Sequence, residues 1–95
     1  MAAHETDAGI EEGNQRRKRL AYRANHTGAR ELDIVLGGFA TREVATLDTF
    51  ELDAFERLLG HSDPDLLSWL VGGAAIPPTL DGPLIARIRN GAARR

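Results

Sequence analysis

Apolar side chains recur along this chain with the spacing of helices. The clearest stripe has the spacing i, i+3, i+4, i+7 and i+8 of one helical face, and it consists of Leu32, Val35, Leu36, Phe39 and Ala40. No segment alternates between apolar and polar residues over a useful length, so no strand is predicted. The pattern therefore predicts an all-α fold, a small bundle of about five short helices.

Glycines divide the first half of this pattern. Gly28 stands between a first helix, expected from about Asn14 to His26, and a second helix. A glycine at such a corner usually has positive φ, so we expect positive φ at Gly28. Gly37-Gly38 interrupts the second helix at a cost of about 1 kcal/mol per glycine relative to alanine. This pair indicates either the close approach of a neighbouring helix or a bend.

The later helices carry clearer start signals. Asp48-x-x-Glu51 has the form of a capping box and predicts the start of the third helix. Asp63 is expected to cap the fourth helix, with Pro64 at the first helical position, where the missing N–H costs no hydrogen bond. Pro83 is expected to open the fifth helix.

The chain divides into a short tail and one domain. Residues 1–14 have no apolar period and few apolar side chains, so we expect a disordered acidic tail there. Residues 15–95 are expected to form a single helical domain, because one core usually serves a chain of this size. The apolar stripes predict that this core contains Leu32, Leu36, Phe39, Leu52, Phe55, Leu59, Leu66, Leu70, Ile85 and Ile88.

The composition excludes several kinds of site. The chain has no cysteine, so it has neither a disulfide framework nor thiol chemistry. Its three histidines lie far apart without companion ligands, and no metal site is predicted. No apolar run is long enough to cross a membrane, and the N-terminus lacks the pattern of a secretion signal or a mitochondrial presequence. We therefore expect a bacterial cytoplasmic protein that does not bind membranes.

Charge is unevenly distributed along the chain. The net charge is −2, yet six basic residues fall between Arg16 and Arg30, and the stretch from Glu43 to Asp65 is mainly acidic. Such a basic segment suits the acidic surface of a partner protein or the phosphates of a nucleic acid, and it is also typical of a solvated helix face. The negative net charge and the lack of a recognition helix count against nucleic acid. A generic protein-interaction module is a further alternative.

Enzyme chemistry is not predicted. Glu31 and Asp33 are two residues apart in a helix, so they point to different faces and do not form an acid/base pair. No Ser/His/Asp order, phosphate loop or dinucleotide fingerprint occurs. A domain of this size also leaves little room for a concave pocket.

Two blocks of the sequence are similar to one known family. Arg19-Leu20-x-Tyr22-Arg23 followed by Gly28-x-x-Glu31-Leu32-Asp33 resembles the small flavinylation factors of succinate dehydrogenase, the SdhE/YgfY-like FAD assembly factors. Their signature is Arg-Gly-x-x-Glu at this corner. Asp63-Pro64-Asp65-Leu66 and Trp69-Leu70 resemble the family's second block, where helix capping and core packing are the expected roles. The resemblance covers about residues 16–90, and two blocks at compatible spacing are more specific than either alone.

The resemblance implies a five-helix protein without a cofactor of its own. We expect a monomer that has no active site of its own. Members bind the flavoprotein subunit of succinate dehydrogenase, and some also serve fumarate reductase. They promote covalent attachment of FAD, which belongs to the partner. For this chain the resemblance implies no nucleic-acid partner and a partner-binding corner made of Arg19, Arg23, His26, Thr27, Gly28, Arg30, Glu31 and Asp33.

One residue of the corner departs from the signature. Thr27 stands where the signature has arginine, so any contact made by that positive charge is lost. Arg23, His26 and Arg30 are the neighbouring residues able to compensate for it. Glu31 is retained, and its carboxylate can accept a charge-assisted hydrogen bond from a partner donor.

Overall fold

The computed structural model describes residues 2–80 and 82–93, with side chains described for 12–80 and 82–92. Within these residues the chain forms α-helices and a short 3-10 turn, and no strand. The elements in chain order are α1 (Ala2–Asn25), α2 (Arg30–Glu43), the 3-10 turn (Val44–Thr46), α3 (Thr49–Leu59), α4 (Asp63–Leu70) and α5 (Gly82–Ala93). The prediction of an all-α bundle of about five short helices is confirmed.

The first helix is longer than the sequence pattern predicts. The segment 1–14 was expected to be disordered, whereas α1 is helical from Ala2 onward, and Met1 lies outside the described residues. Alanine and glutamate, which are frequent in this segment, have high helix propensity, and acidic residues near a helix N-terminus are favoured by its dipole. The lack of an apolar period in residues 1–14 therefore did not indicate an absence of helix. The division into tail and domain at residue 14 stays a prediction.

The core is built around α2, which packs against α1, α4 and α5. Nine of the ten predicted core residues are buried, and Leu59 is the exception because it is only half-buried. On α3 the inward face runs through Leu52, Phe55 and Leu58, so the predicted stripe is correct at its first two positions and wrong by one residue at the third. Phe55 contacts Phe39 of α2, with 5.4 Å between ring centroids and a tilt of 55°.

The glycine pair in α2 does not end or break the helix. Gly37 is buried in the middle of a continuous α2. A Cβ at this position would collide with the side chain of Asn25 and would lie 3.4 Å from the Cα of Asn25. Of the two interpretations of Gly37-Gly38, the structure favours the close approach of a neighbouring helix, which here is α1.

Two of the predicted helix starts can be compared atom by atom. At α3 the capping box is confirmed, since the Asp48 carboxylate accepts from the Glu51 N–H at 2.8 Å and Glu51 accepts from the Asp48 N–H at 3.0 Å. At α4 the prediction is wrong by one residue. Ser62 is the cap, and its hydroxyl accepts from the Asp65 N–H at 3.3 Å, so Asp63 is the first helical residue. This shift frees the Asp63 carboxylate for a contact outside its own helix.

Arginine side chains connect the helices. The Arg87 guanidinium on α5 donates to Glu43 at 2.7 Å and to Glu51 at 2.6 Å, which joins α5 to the end of α2 and the start of α3. On the other side, Arg16 of α1 donates to Asp53 of α3 at 2.6 Å. The carboxylates beside Arg16 and Arg87 raise the pKa of both guanidinium groups. Arg16 and Arg87 therefore stabilise the packing of the helices.

Candidate partner-binding corner

The corner between α1 and α2 is held by a contact with α4. The N–H of Gly28 donates to Oδ2 of Asp63 at 3.0 Å. A Cβ on Gly28 would lie 2.5 Å from the same oxygen, closer than real Cβ atoms approach other atoms. Gly28 does not have the predicted positive φ, which among the described residues occurs at Gly73. A side chain at this corner would therefore displace the Asp63 carboxylate from the Gly28 backbone, and left-handed backbone geometry plays no part.

Thr27 and Asp33 close the corner from the other side. Ala29 is the N-cap of α2 and has no side chain able to cap it. Asp33 reaches back instead, and its Oδ1 accepts from both the N–H and the hydroxyl of Thr27 at 2.7 Å. The Thr27 hydroxyl also accepts from the Ala29 N–H at 3.1 Å. These two predicted partner-binding residues therefore maintain the shape of the corner.

The pH dependence of stability should reveal the Asp33 contact. Hydrogen bonds from Thr27 lower the pKa of Asp33 below its ordinary value of 3.8. A carboxyl whose folded pKa is lowered adds stability above its unfolded pKa and loses it as the pH falls through the folded pKa. We expect Asp33→Asn to melt at a lower temperature than the wild type at pH 6. That difference should shrink below about pH 4, and a difference of the same size at pH 3 would contradict this account.

A cleft opens beside the corner, between α1 and the facing ends of α3 and α4. Its volume is about 220 Å³, and we call it the corner cleft. The floor is apolar, since Leu66 is buried and Leu59 is half-buried. The lining residues are Tyr22, Arg23, His26, Thr27, Leu59, Asp63 and Leu66.

An aromatic pair forms the outer wall of the corner cleft. The rings of Tyr22 and His26 stack with centroids 3.9 Å apart, and Tyr22 is 64% exposed. Nδ1 of His26 lies 2.7 Å from the Tyr22 carbonyl oxygen. A carbonyl oxygen only accepts, so Nδ1 is the donor of this contact, and Nε2 has no partner among the described residues.

Arg30 and Glu31 lie in the exposed first turn of α2. Neither side chain forms a hydrogen bond or an ion pair with any residue that the structure describes. They do not line the corner cleft, so the predicted site divides into a first-turn part and a cleft part. Glu31 thus keeps its full capacity to accept hydrogen bonds from another molecule.

The basic segment of α1 is only partly available to a partner. Arg16 is bound to acidic residues of α3, and the Arg17 guanidinium donates to the carbonyl oxygens of Val44 at 3.2 Å and Leu47 at 2.7 Å. Arg19 is 57% exposed and lies 3.9 Å from Glu56, a weak surface ion pair. Two of the four consecutive cations therefore serve the fold, which weakens the case for a phosphate-binding stripe.

Sequence reasoning missed the role of Asp63. The residue was expected to cap its own helix, whereas it joins α4 to Gly28, 35 positions earlier. No local rule connects residues so far apart. The family resemblance could have indicated this contact, because Gly28 belongs to the first of its two sequence blocks and Asp63 to the second. The structure places these two residues in contact.

Two features are absent from the described residues. No cluster of three or more His, Cys, Asp or Glu side chains is placed to hold a metal ion. No described helix is long and apolar enough to cross a membrane. The fold and the site define a small all-α protein whose helix corner presents an aromatic pair and free charged side chains to solvent.

Comparison with known proteins identifies the family. The family described as "Flavinator of succinate dehydrogenase" matches residues 18–92. The "FAD assembly factor SdhE" of Acetobacter pasteurianus is 39% identical over 83 residues, 85% of this chain and 76% of that protein. The protein of the same name from Legionella pneumophila is 41% identical over 59 residues, 62% of this chain and 73% of that protein. The mitochondrial "Succinate dehydrogenase assembly factor 2" of Dictyostelium discoideum is 30% identical over 81 residues, 85% of this chain and 57% of that protein.

This chain belongs to the family of succinate dehydrogenase flavinators. The resemblance inferred from the two sequence blocks is thereby confirmed.

Proposed function

We propose that this protein binds the flavoprotein subunit of succinate dehydrogenase and promotes the covalent attachment of FAD to it. Membership of the flavinator family and the names of the relatives support this function. The observation that carries it to particular residues is the unpartnered first turn of α2. There Glu31 is exposed and has no partner among the described residues, while Asp33 and Asp63 are occupied by Thr27 and Gly28 of the corner.

The proposed mechanism is positioning. The flavin, which belongs to the client, supplies the chemistry of the new bond, and this chain has no active site of its own. Glu31 accepts a charge-assisted hydrogen bond from a donor on the client, and Gly28 leaves the corner free of a side chain. The docked client is held in the conformation that aligns FAD with the side chain to be modified, which makes the reaction effectively unimolecular.

The proposal includes several finer points. We propose that the protein works as a monomer in the bacterial cytoplasm, and that the flavoprotein of fumarate reductase is a second client. Nucleic acid is not proposed as a partner, since Arg16 and Arg17 are engaged within the fold. In a gel assay at physiological salt, duplex DNA should therefore bind only weakly and without sequence preference. A sequence-specific shift would favour the nucleic-acid alternative.

Replacing Glu31 by alanine tests the proposed function directly. We expect covalent flavin in the client to fall about tenfold to hundredfold, because a hydrogen bond to a charged group is worth about 1.5–3 kcal/mol. The melting temperature should hardly change, since the side chain is exposed and has no partner among the described residues. In-gel flavin fluorescence of the client, run beside melting curves, measures both quantities.

Glu12→Ala is the matched control, because Glu12 is an exposed carboxylate on α1 away from the corner. It should leave both flavinylation and melting temperature unchanged. Normal flavinylation by Glu31→Ala together with a strongly lowered melting temperature would make Glu31 a structural residue of α2. In that case the assignment of this corner to the client would be wrong.

A further inference from the structure

Arg23 is a cation of the corner cleft whose side chain has no described partner within the fold. Its side chain is half-buried and lines the cleft, yet it forms no hydrogen bond or ion pair with any described residue. Other arginines with reduced exposure are occupied by oxygens of this chain; they are Arg16, Arg17, Arg87 and Arg89. A half-buried guanidinium without a described hydrogen-bond partner keeps its N–H donors available to another molecule.

The other groups at the cleft define what the missing partner must be. Thr27 is uncharged, and its hydroxyl is already bound to Asp33. Asp63 lines the cleft but uses Oδ2 to accept from Gly28 and forms no ion pair with Arg23 in the structure. Nε2 of His26 has no partner among the described residues and carries no fixed charge comparable with a guanidinium. The free capacity of the cleft is therefore mainly the fork of N–H donors on Arg23, above a floor of Leu59 and Leu66.

We infer that the corner cleft receives the carboxylate of one aspartate or glutamate side chain of the client flavoprotein, and that Arg23 binds it. The inference rests on the proposed function, because it names the chemistry of the client at the same corner. The cleft volume of about 220 Å³ suits a single side chain, since sites for whole small molecules usually measure about 300–1,000 Å³. The charge of Asp63 on the cleft wall repels any anion, and it repels a multiply charged phosphate more strongly than a single carboxylate.

This assignment makes Arg23 a specificity-determining residue for the client. A guanidinium binds a carboxylate through two parallel N–H···O bonds, and an ammonium group cannot reproduce this geometry. The apolar floor reduces the effective dielectric, so the pair should be stronger than an exposed ion pair. Because Thr27 lines the same cleft, an arginine introduced at that position would bring its charge to the same volume.

The test is calorimetric binding of the full chain to the purified flavoprotein subunit. Arg23→Gln is expected to raise the Kd about tenfold to hundredfold without lowering the melting temperature. Arg23→Lys should recover part of the loss. Arg57→Gln, which removes an exposed cation of α3 outside this cleft, should bind like the wild type. Adding Thr27→Arg to Arg23→Gln should restore binding at least in part, because the backbone N–H of residue 27 still donates to Asp33 when the hydroxyl is lost.

Several results would overturn the inference, and they separate it from the proposed function. If Arg23→Gln binds like the wild type while Glu31→Ala does not, the cleft assignment is wrong and the proposed function stands. An unfolded Arg23→Gln variant would make Arg23 a structural residue. Competition by millimolar inorganic pyrophosphate would assign the cleft to a phosphate. If the wild-type chain does not bind the subunit at all, both the proposed function and this inference fail.

Discussion

Replacing Phe55 by alanine is expected to lower the free energy of unfolding by about 3–5 kcal/mol. Phe55 is completely buried, and its ring packs against Phe39 of the central helix α2. Truncation removes the contact between the aromatic rings and leaves a cavity that the surrounding helices can close only in part. A small domain has a total stability of only about 5–15 kcal/mol. The loss is therefore expected to bring this variant close to unfolding at physiological temperature.

The chain supplies a matched control for this variant. Phe50 lies on the same helix α3 and is 69% exposed, so Phe50→Ala removes the same atoms from a site without a packed environment. It should change the free energy of unfolding by less than about 0.5 kcal/mol. Urea titrations of both variants measure the difference. A loss of under 1 kcal/mol for Phe55→Ala would show that α3 does not pack as the structure has it.

The sequence predicts well those features that depend on neighbouring residues. The capping box of α3 involves Asp48 and Glu51, which are three residues apart, and it forms as predicted. The buried stripe of α2 follows the helical period, and Leu32, Leu36 and Phe39 are all completely buried. Both features are local, because a helix fixes the geometry of residues three and four apart.

Features that depend on distant residues could not be predicted in the same way. The burial of Leu58 in place of Leu59 depends on the rotation of α3 against its neighbours, and both residues are compatible with the apolar period. The sequence correctly placed a helix corner at Gly28, but the predicted reason for glycine there, a positive φ, was wrong. A glycine at a helix end usually indicates positive φ, whereas here it makes room for Asp63, and that carboxylate is positioned by the docking of α4.

Contacts between distant residues also explain why the candidate site divides into a first-turn part and a cleft part. The eight predicted partner-binding residues are close in sequence, but the contacts of the fold occupy some and leave others free. Asp33 and Thr27 are bound to each other, whereas Glu31 is exposed without a partner among the described residues. Sequence proximity identified the corner, and only tertiary contacts separate the residues that shape it from those available to a client.

Gly28→Arg is expected to abolish detectable client flavinylation and to destabilise the fold as well. Any side chain at this position displaces Asp63, because a Cβ would lie 2.5 Å from its Oδ2. The hydrogen bond from the Gly28 N–H to that carboxylate is then lost, at a cost of about 1 kcal/mol for a bond exposed to solvent. The long side chain also fills the surface between Glu31 and the corner cleft, where the client is proposed to dock. Melting curves and client flavin fluorescence separate the two effects.

Smaller substitutions at Gly28 distinguish two reasons for glycine at this position, the approach of Asp63 and a positive φ. If the cause is the approach of Asp63, then Gly28→Ala should destabilise the wild type but have little effect in an Asp63→Ala background, since the double-mutant cycle removes the clash. Gly28→Asn should be no better tolerated than Gly28→Ala. If positive φ were the cause, asparagine would be the better replacement, because it enters the left-handed region more readily than alanine. A Gly28→Asn variant as stable as the wild type, beside a strongly destabilised Gly28→Ala, would therefore contradict the structure of this corner.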